Sequence, residues 1–198
     1  WDRVADTGLD FAFIKASEGG DHHDELFTTN WNALERSGIR RGAYHFYRPA
    51  VDPKLQADNF FTKVGHLTAG DLPPVLDVET RGKIPSSEFI EDVKTWLLLA
   101  EARYGAKPIL YTGQNFYNRF LAGHFPDYPV WIARYKKELP TLADGRDFQF
   151  WQFSDKGNLP GINGHVDVNI FTGTALDLAM LSIPLRVSSD EPEPLAKN

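Results

Sequence analysis

The chain has 198 residues, of which 42% are hydrophobic and 24% charged, so it is long enough for one sizeable core and too short for two ordinary domains. The net charge of −6, without a basic stripe, argues against nucleic acid as a partner. The absence of cysteine excludes disulfides and thiolate zinc sites. No apolar run approaches the roughly 20 residues that span a bilayer, so we expect no membrane insertion.

Apolar runs typical of strands alternate with segments of helical period along most of the chain. Seven strands are predicted, at 9–16, 42–46, 74–78, 108–112, 130–134, 148–153 and 166–171. Helices are predicted between the early strands. The first has the apolar stripe Phe27, Trp31 and Leu34 and ends at Gly38, and the second opens at Asp52-Pro53 and runs to about Gly65. The third is capped by Ser86 or Ser87 and ends at Gly105, and a short fourth helix covers 114–121.

The alternation of strands with helices favours an α/β fold with a parallel sheet, and a closed parallel barrel needs eight strands. One strand is missing from the predicted set. Because the chain opens on Trp1-Asp2, which resembles the middle of a domain, we expect the missing strand, and any leader, upstream of Trp1. The predicted catalytic domain covers residues 1–185, and residues 186–198 are predicted to form an extended tail or linker.

The sharpest chemical feature is the acid pair Asp77 and Glu79 at the end of a buried strand. Acids at i and i+2 on a strand project to the same side, with Cα atoms about 6.6 Å apart, so their carboxyls could approach the 5–5.5 Å or so that suits retaining glycoside hydrolysis. Crowding two like charges raises one pKa, so that one carboxyl can serve as a general acid while the other stays anionic. Taken alone, the pair could equally cap loops or bind a cation.

Six motifs follow one another along the chain, and the third of them contains this pair. They are FAFIKASEG at 11–19, GAYHFYRP at 42–49, PVLDVE at 74–79, PILYT at 108–112, PVWIARY at 129–135, and FWQF at 150–153 followed by PGI at 160–162 and VDVN at 166–169. Together they resemble glycoside hydrolase family 25, the muramidases typified by fungal, phage and bacterial cell-wall lysozymes. The resemblance covers about residues 1–171. It implies an irregular TIM-like barrel of five strand–helix units followed by three strands, the first strand being absent from this chain.

The resemblance also implies the roles of individual residues. Glu79 matches the family's acid/base, Asp77 the acid that orients the substrate's N-acetyl group or stabilises the cation, and Asp167 a third acid at the mouth of the site. Aromatic residues at strand ends are expected to line the sugar groove, with barrel packing as the alternative role: Tyr44, Phe46, Tyr111, Trp131 and Tyr135. The expected pKa is raised for Glu79 and normal or lowered for Asp77, and Lys15 is expected to form a salt bridge to the acid cluster.

The function implied is that of a lysozyme that hydrolyses the β-1,4 bond between N-acetylmuramic acid and N-acetylglucosamine with net retention. No cofactor or metal is needed for this chemistry, and the segment Asp21–Asp24 is expected to be a solvated loop. The expected partner is the glycan strand of bacterial peptidoglycan. The protein is expected to be a monomer that is secreted or delivered to the cell wall or periplasm. Two alternatives stay open: a catalytically silent glycan-binding barrel, which the absent first-strand Asp-x-Ser motivates, and a hydrolase of another β-1,4 glycan such as chitin.

Overall fold

The computed structural model describes residues 1–184, which form one eight-stranded sheet with helices packed on its outer side. The predicted tail at 186–198 and the boundary at residue 185 lie outside the described residues. The strands are β1 Phe11–Glu18, β2 His22–His23, β3 Arg40–Phe46, β4 Val75–Asp77, β5 Ile109–Gly113, β6 Val130–Ala133, β7 Phe150–Gly157 and β8 Val166–Phe171. The helices are α1 Asp2–Ala5, α2 Phe27–Ser37, α3 Pro53–Val64, α4 Ser86–Tyr104, α5 Gln114–Phe116 and α6 Ala175–Leu181, and α5 continues as a π-helical turn, Tyr117–Leu121.

The sheet order is β2-β1-β3-β4-β5-β6-β7-β8, in which β1 and β3 to β7 run parallel and the two outermost strands run antiparallel to their neighbours. All seven predicted strands are present, with boundaries shifted by a few residues. The strand that the sequence did not predict is β2, where His23 pairs with Ser17 and His22 with Glu18. The predicted loop Asp21–Asp24 thus contains a short strand, because a two-residue pairing leaves no alternating pattern to detect.

The predicted helices are confirmed in α2, α3 and α4, including the αL glycine that follows α2 at Gly38 and the Asp52 side chain that accepts a hydrogen bond from Lys54 N. The predicted serine cap of α4 is wrong, since Pro85 precedes the helix and Ser86 is its first residue. Two short helices, α1 and α6, were missed. A capping box between Thr174 and Asp177 opens α6 and is a sequence signal that could have found it.

Contacts between aromatic rings show that the sheet is curled. Strands β1 and β7 are separated by four others, which would place them about 24 Å apart in a flat sheet. The rings of Phe11 and Phe150 nevertheless lie 5.3 Å apart, and those of Phe13 and Trp131 lie 4.7 Å apart. The sheet therefore wraps around an aromatic interior, while its outer face packs on the helices.

The curled sheet leaves an opening between β1 and β8. Within residues 1–184, β8 pairs only with β7, and the segment 11–16 of β1 pairs only with β3. A cavity of about 770 Å³ lies against both edges and is lined by β1 residues from Phe11 to Lys15 and β8 residues from Val166 to Asn169. The described part of the chain therefore forms an open arc of sheet.

Gly42 on β3 is directly opposite Phe13 on β1, and a methyl group added at Gly42 would overlap the Phe13 ring. Because that ring is held between Trp131 and Phe150, we expect Gly42→Ala to destabilise the fold by about 1–3 kcal/mol, measured by denaturant unfolding. The control is Gly113→Ala, since a methyl group there meets nothing within 4 Å. Equal stability of the two variants would contradict the packing described for the interior.

Candidate active site

The cavity lining includes residues at the carboxyl ends of parallel strands, such as Phe46, Asp77 and Glu79, and this is the end where active sites gather in parallel barrels. The cavity is lined by seven of the eight predicted site residues: Tyr44, Phe46, Asp77, Glu79, Tyr111, Trp131 and Asp167. The eighth, Tyr135, lies outside the lining. The fold thus brings residues from five strands or their ends to one groove.

The acid pair is positioned by the backbone at the end of β4. Tyr47 N donates to Asp77 O and Val78 N donates to Tyr111 O, both at 2.9 Å, which continues the pairing past the last strand residue. Asp77 and Glu79 both line the cavity, whereas Val78 belongs to the core between the sheet and the helices. The prediction that the two acids project to the same side is confirmed.

The two carboxyls of the pair lie in different environments. Asp77 is only 7% exposed and its Oδ1 atom has no hydrogen-bond partner in the protein, whereas Glu79 is exposed at the mouth of the groove. Burial, reinforced by the charge of Glu79, raises the pKa of Asp77 to about 8, and the charge of Lys15 opposes the rise. Burial and the charge of Asp167 raise the pKa of Glu79, while a hydrogen bond from Asp77 acts in the opposite direction.

The pKa predicted for Asp77 is therefore wrong. The sequence favours a normal or lowered pKa for Asp77, but the carboxyl is removed from water so completely that burial outweighs every other effect. With a pKa raised to about 8, the Asp77 carboxyl is mostly protonated at neutral pH, and a hydrogen bond joins it to Glu79. The pair therefore stores a proton at the floor of the groove.

The third acid, Asp167, lies on β8, an outermost strand of the sheet. Burial and the neighbouring charge of Asp155 raise its pKa, while a hydrogen bond from the Gln152 side chain opposes the rise. Asp167 also contributes to the raised pKa values of Asp77 and Glu79. The acid pair and Asp167 are far apart in the sequence, and they share one electrostatic environment because the sheet is curled.

Tyr111 and Trp131 lie deep in the groove, 8% and 7% exposed. The Tyr111 hydroxyl donates to Gln152 Oε1 at 2.5 Å, and Trp131 Nε1 donates to Asn169 Oδ1 at 2.9 Å. Their rings meet edge to face at 4.7 Å, and Trp131 also packs on Phe13. Barrel packing, the alternative role, accounts for most of the surface of these two rings, and only a small part of each reaches the groove.

The other three aromatic residues lie nearer the rim. Tyr44 and Phe46 are half-buried on β3, and the ammonium group of Lys15 lies 5.3 Å from the centre of the Phe46 ring. Tyr135 is 52% exposed, and burial together with the charge of Asp167 raises its pKa. Tyr135 is therefore close to the acids although it lies outside the cavity.

The expected salt bridge from Lys15 to the acid cluster is instead an ion pair with Glu18, at 2.5 Å. Arg48 binds the other oxygen of Glu18 at 2.8 Å, and these charges lower the pKa of Glu18. A β-bulge between Lys15 and Ser17 turns both Ala16 and Ser17 toward the helices, which leaves Glu18 on the same side as Lys15. A strict period of two could not predict this pairing.

The segment Asp21–Asp24 lies on and beside β2. In residues 1–184 no set of three or more His, Asp or Glu side chains is arranged to hold a metal ion, and His23 instead contacts the carbonyl oxygen of Asn59 at 3.2 Å. None of the helices in this part of the chain combines the length and the apolar character needed to cross a membrane.

A curled α/β sheet with a pair of neighbouring carboxyls of raised pKa at the end of a central strand has the features of the glycoside hydrolase class. Comparison with known proteins makes this specific. The sequence profile described as Glycosyl hydrolases family 25 matches residues 1–162. The chain belongs to this family.

Similar proteins agree with this assignment. The chain is 46% identical over 183 residues to the YegX protein of Escherichia coli K12, covering 90% of the chain and 66% of that protein. It is 34% identical over 195 residues to Lysozyme M1 of Streptomyces globisporus, covering 92% of the chain and 66% of that enzyme. The chain thus spans about two thirds of the length of these relatives. The crystal structure of the bacterial lysozyme from Streptomyces coelicolor superposes with a TM-score of 0.86 at 31% identity, covering 92% of this chain and 90% of that one.

Proposed function

We propose that the protein is a lysozyme that hydrolyses the β-1,4 bond between N-acetylmuramic acid and N-acetylglucosamine in peptidoglycan, with net retention. The observation that carries this proposal is the meeting of Asp77, Glu79 and Asp167 in one groove. Family membership and the names of relatives such as Lysozyme M1 support the substrate class. Such an enzyme works at the cell wall, as a secreted or periplasmic protein.

Glu79 is the proton donor in this proposal because it is the member of the pair that a bound glycan can reach. The proton stored on Asp77 passes along their hydrogen bond to Glu79 and from there to the oxygen of the leaving sugar, which lets the glycosidic bond break. The ionised Asp77 that remains stabilises the positive charge on the cleaved sugar. A water molecule then completes the reaction, with Glu79 accepting its proton.

The geometry of the pair supports retention over inversion. Carboxyls that share a hydrogen bond are much closer than the roughly 6.5–9.5 Å that an inverting pair needs to admit a water molecule between them.

We also infer that a further strand belongs between β1 and β8. Both edges carry unpaired backbone groups in the described residues, and a cavity of about 770 Å³ separates them. If the two-residue β2 is not counted, this strand would complete a barrel of five strand–helix units followed by three strands, as the resemblance implies. A strand with the family's Asp-x-Ser pattern would add a fourth acid to the groove.

The test is an assay of purified protein on peptidoglycan and on chitin, with release of reducing ends as the measurement. Two forms are compared: the 198-residue chain, and the same chain extended at its amino terminus by an Asp-x-Ser strand. We expect cleavage of peptidoglycan, faster with the extension, and little cleavage of chitin. Preferred cleavage of chitin would favour the other-glycan alternative. Binding of muropeptides without turnover by the extended form would favour the silent barrel.

A further inference from the structure

Gln152 is a buried polar residue of the groove to which the proposed mechanism gives no role. It lies on β7, is 2% exposed and lines the cavity. Its Oε1 atom lies 2.5 Å from the Tyr111 hydroxyl on β5, and strand pairing places its side chain on the same side of the sheet as the Asp167 carboxyl on β8. A carboxamide buried to this degree needs partners for its polar atoms, and both partners here belong to the candidate site.

The hydrogen bonds fix the orientation of the Gln152 carboxamide. A phenol hydroxyl is the donor to Gln152 Oε1, so this oxygen must face Tyr111. The amide nitrogen, which can only donate, then faces Asp167, whose oxygens accept when the carboxyl is ionised. A flipped carboxamide would set its carbonyl oxygen against the Asp167 carboxylate, which cannot donate when it is ionised.

Strand pairing holds the two partners of this contact together. Gln152 is paired in register with Asn169, and Asp167 lies two residues before Asn169 on the same strand, so both β8 side chains project to one side. Asn169 is in turn fixed by the indole N–H of Trp131 at 2.9 Å. The pairing of β7 with β8 shifts register between Gln152 and Ser154, a bulge of the kind that aims side chains at functional sites.

We propose that Gln152 is a positioning residue: anchored by the Tyr111 hydroxyl, its amide N–H holds the Asp167 carboxyl in the orientation that the groove requires. This proposal rests on the proposed function for its effect on catalysis, but the contact itself is a property of the folded chain. Loss of the amide donor leaves burial and the charge of Asp155 unopposed, so Asp167 should take up a proton at higher pH.

The test compares Gln152→Met, which keeps the length of the side chain and removes its hydrogen bonds, with the unsubstituted protein. The first measurement is the titration of the Asp167 carboxyl carbon by NMR, which needs no substrate. We expect the pKa of Asp167 to rise by about one unit in the variant. The second is the pH profile of peptidoglycan cleavage, where the acidic limb should move to higher pH and kcat should fall roughly tenfold with a smaller change in KM.

Gln149→Met is the matched control, because Gln149 also accepts a hydrogen bond, from Val130 N, but lies outside the groove lining. It should lose stability and leave the titration of Asp167 unchanged. Tyr111→Phe removes only the anchor, so it should move the pKa of Asp167 in the same direction by less; it replaces Gln152→Met if that variant does not fold. An unchanged pKa of Asp167 in the folded variants overturns the proposal. A shifted pKa in a protein without glycan cleavage would uphold the positioning role and refute the lysozyme assignment.

Discussion

Replacing Glu79 with glutamine should lower the release of reducing ends from peptidoglycan by about 10²–10⁴-fold, the usual contribution of a positioned proton donor. Glutamine has nearly the same shape but carries no acidic proton, so the proton stored on Asp77 can no longer reach the leaving oxygen. Because the Glu79 side chain is exposed, the substitution should leave the fold intact. The measurement is the rate of cleavage at saturating peptidoglycan, made beside a thermal unfolding curve.

The matched control for this experiment is Glu91→Gln, the same chemical change on an exposed position of α4. That variant should cleave peptidoglycan at the rate of the unsubstituted protein. If Glu79→Gln is folded and keeps a rate within a few-fold of the control, Glu79 is not the proton donor and the proposed mechanism is wrong.

Replacing Asp77 with asparagine should have opposite effects on activity and on stability. Activity should fall by about 10²-fold or more, because the stored proton and the charge that stabilises the cation are both lost. Stability at alkaline pH should rise. The pKa of Asp77 is about 8 in the folded protein and near the ordinary value of about 4 in the unfolded chain, so folding takes up a proton between these limits.

The sign of this effect follows from proton linkage. A group that binds its proton more tightly in the folded state makes the folded state less stable as the pH rises through this window, and the full penalty remains above it. Asparagine does not titrate. The free energy of unfolding of Asp77→Asn should therefore exceed that of the unsubstituted protein by about 1–3 kcal/mol at about pH 9, and the gain should shrink toward about pH 5.

Urea unfolding at the two pH values measures this difference. A gain in stability that is equal at both values would mean that Asp77 does not carry a raised pKa in the folded protein. A variant that is less stable than the unsubstituted protein at about pH 9 would show that the Asp77 carboxyl is partnered in a way that the unpaired Oδ1 atom does not reveal.

Much of the fold could be predicted because its signals are local. The seven main strands are apolar runs bounded by Gly, Pro or Asp, and α2, α3 and α4 combine an apolar face with a recognisable start or stop such as Asp52-Pro53 or Gly38. The elements that were missed are short. A two-residue strand such as β2 and a four-residue helix such as α1 have no periodicity to detect, since they exist only through contacts with the rest of the chain.

The candidate site likewise has some features that follow from local sequence and others that depend on tertiary contacts. By itself the sequence determined that Asp77 and Glu79 share a side, because successive side chains alternate along any strand, and the ordered motifs around them indicated the family. The motif resemblance also indicated Asp167. Only the tertiary structure decided how the sheet brings β8 beside the pair, that Lys15 pairs with Glu18, and that burial raises the pKa of Asp77. These facts depend on the curl of the sheet, a bulge in β1 and the depth of burial, which arise from contacts between residues far apart in the chain and leave no trace in local spacing.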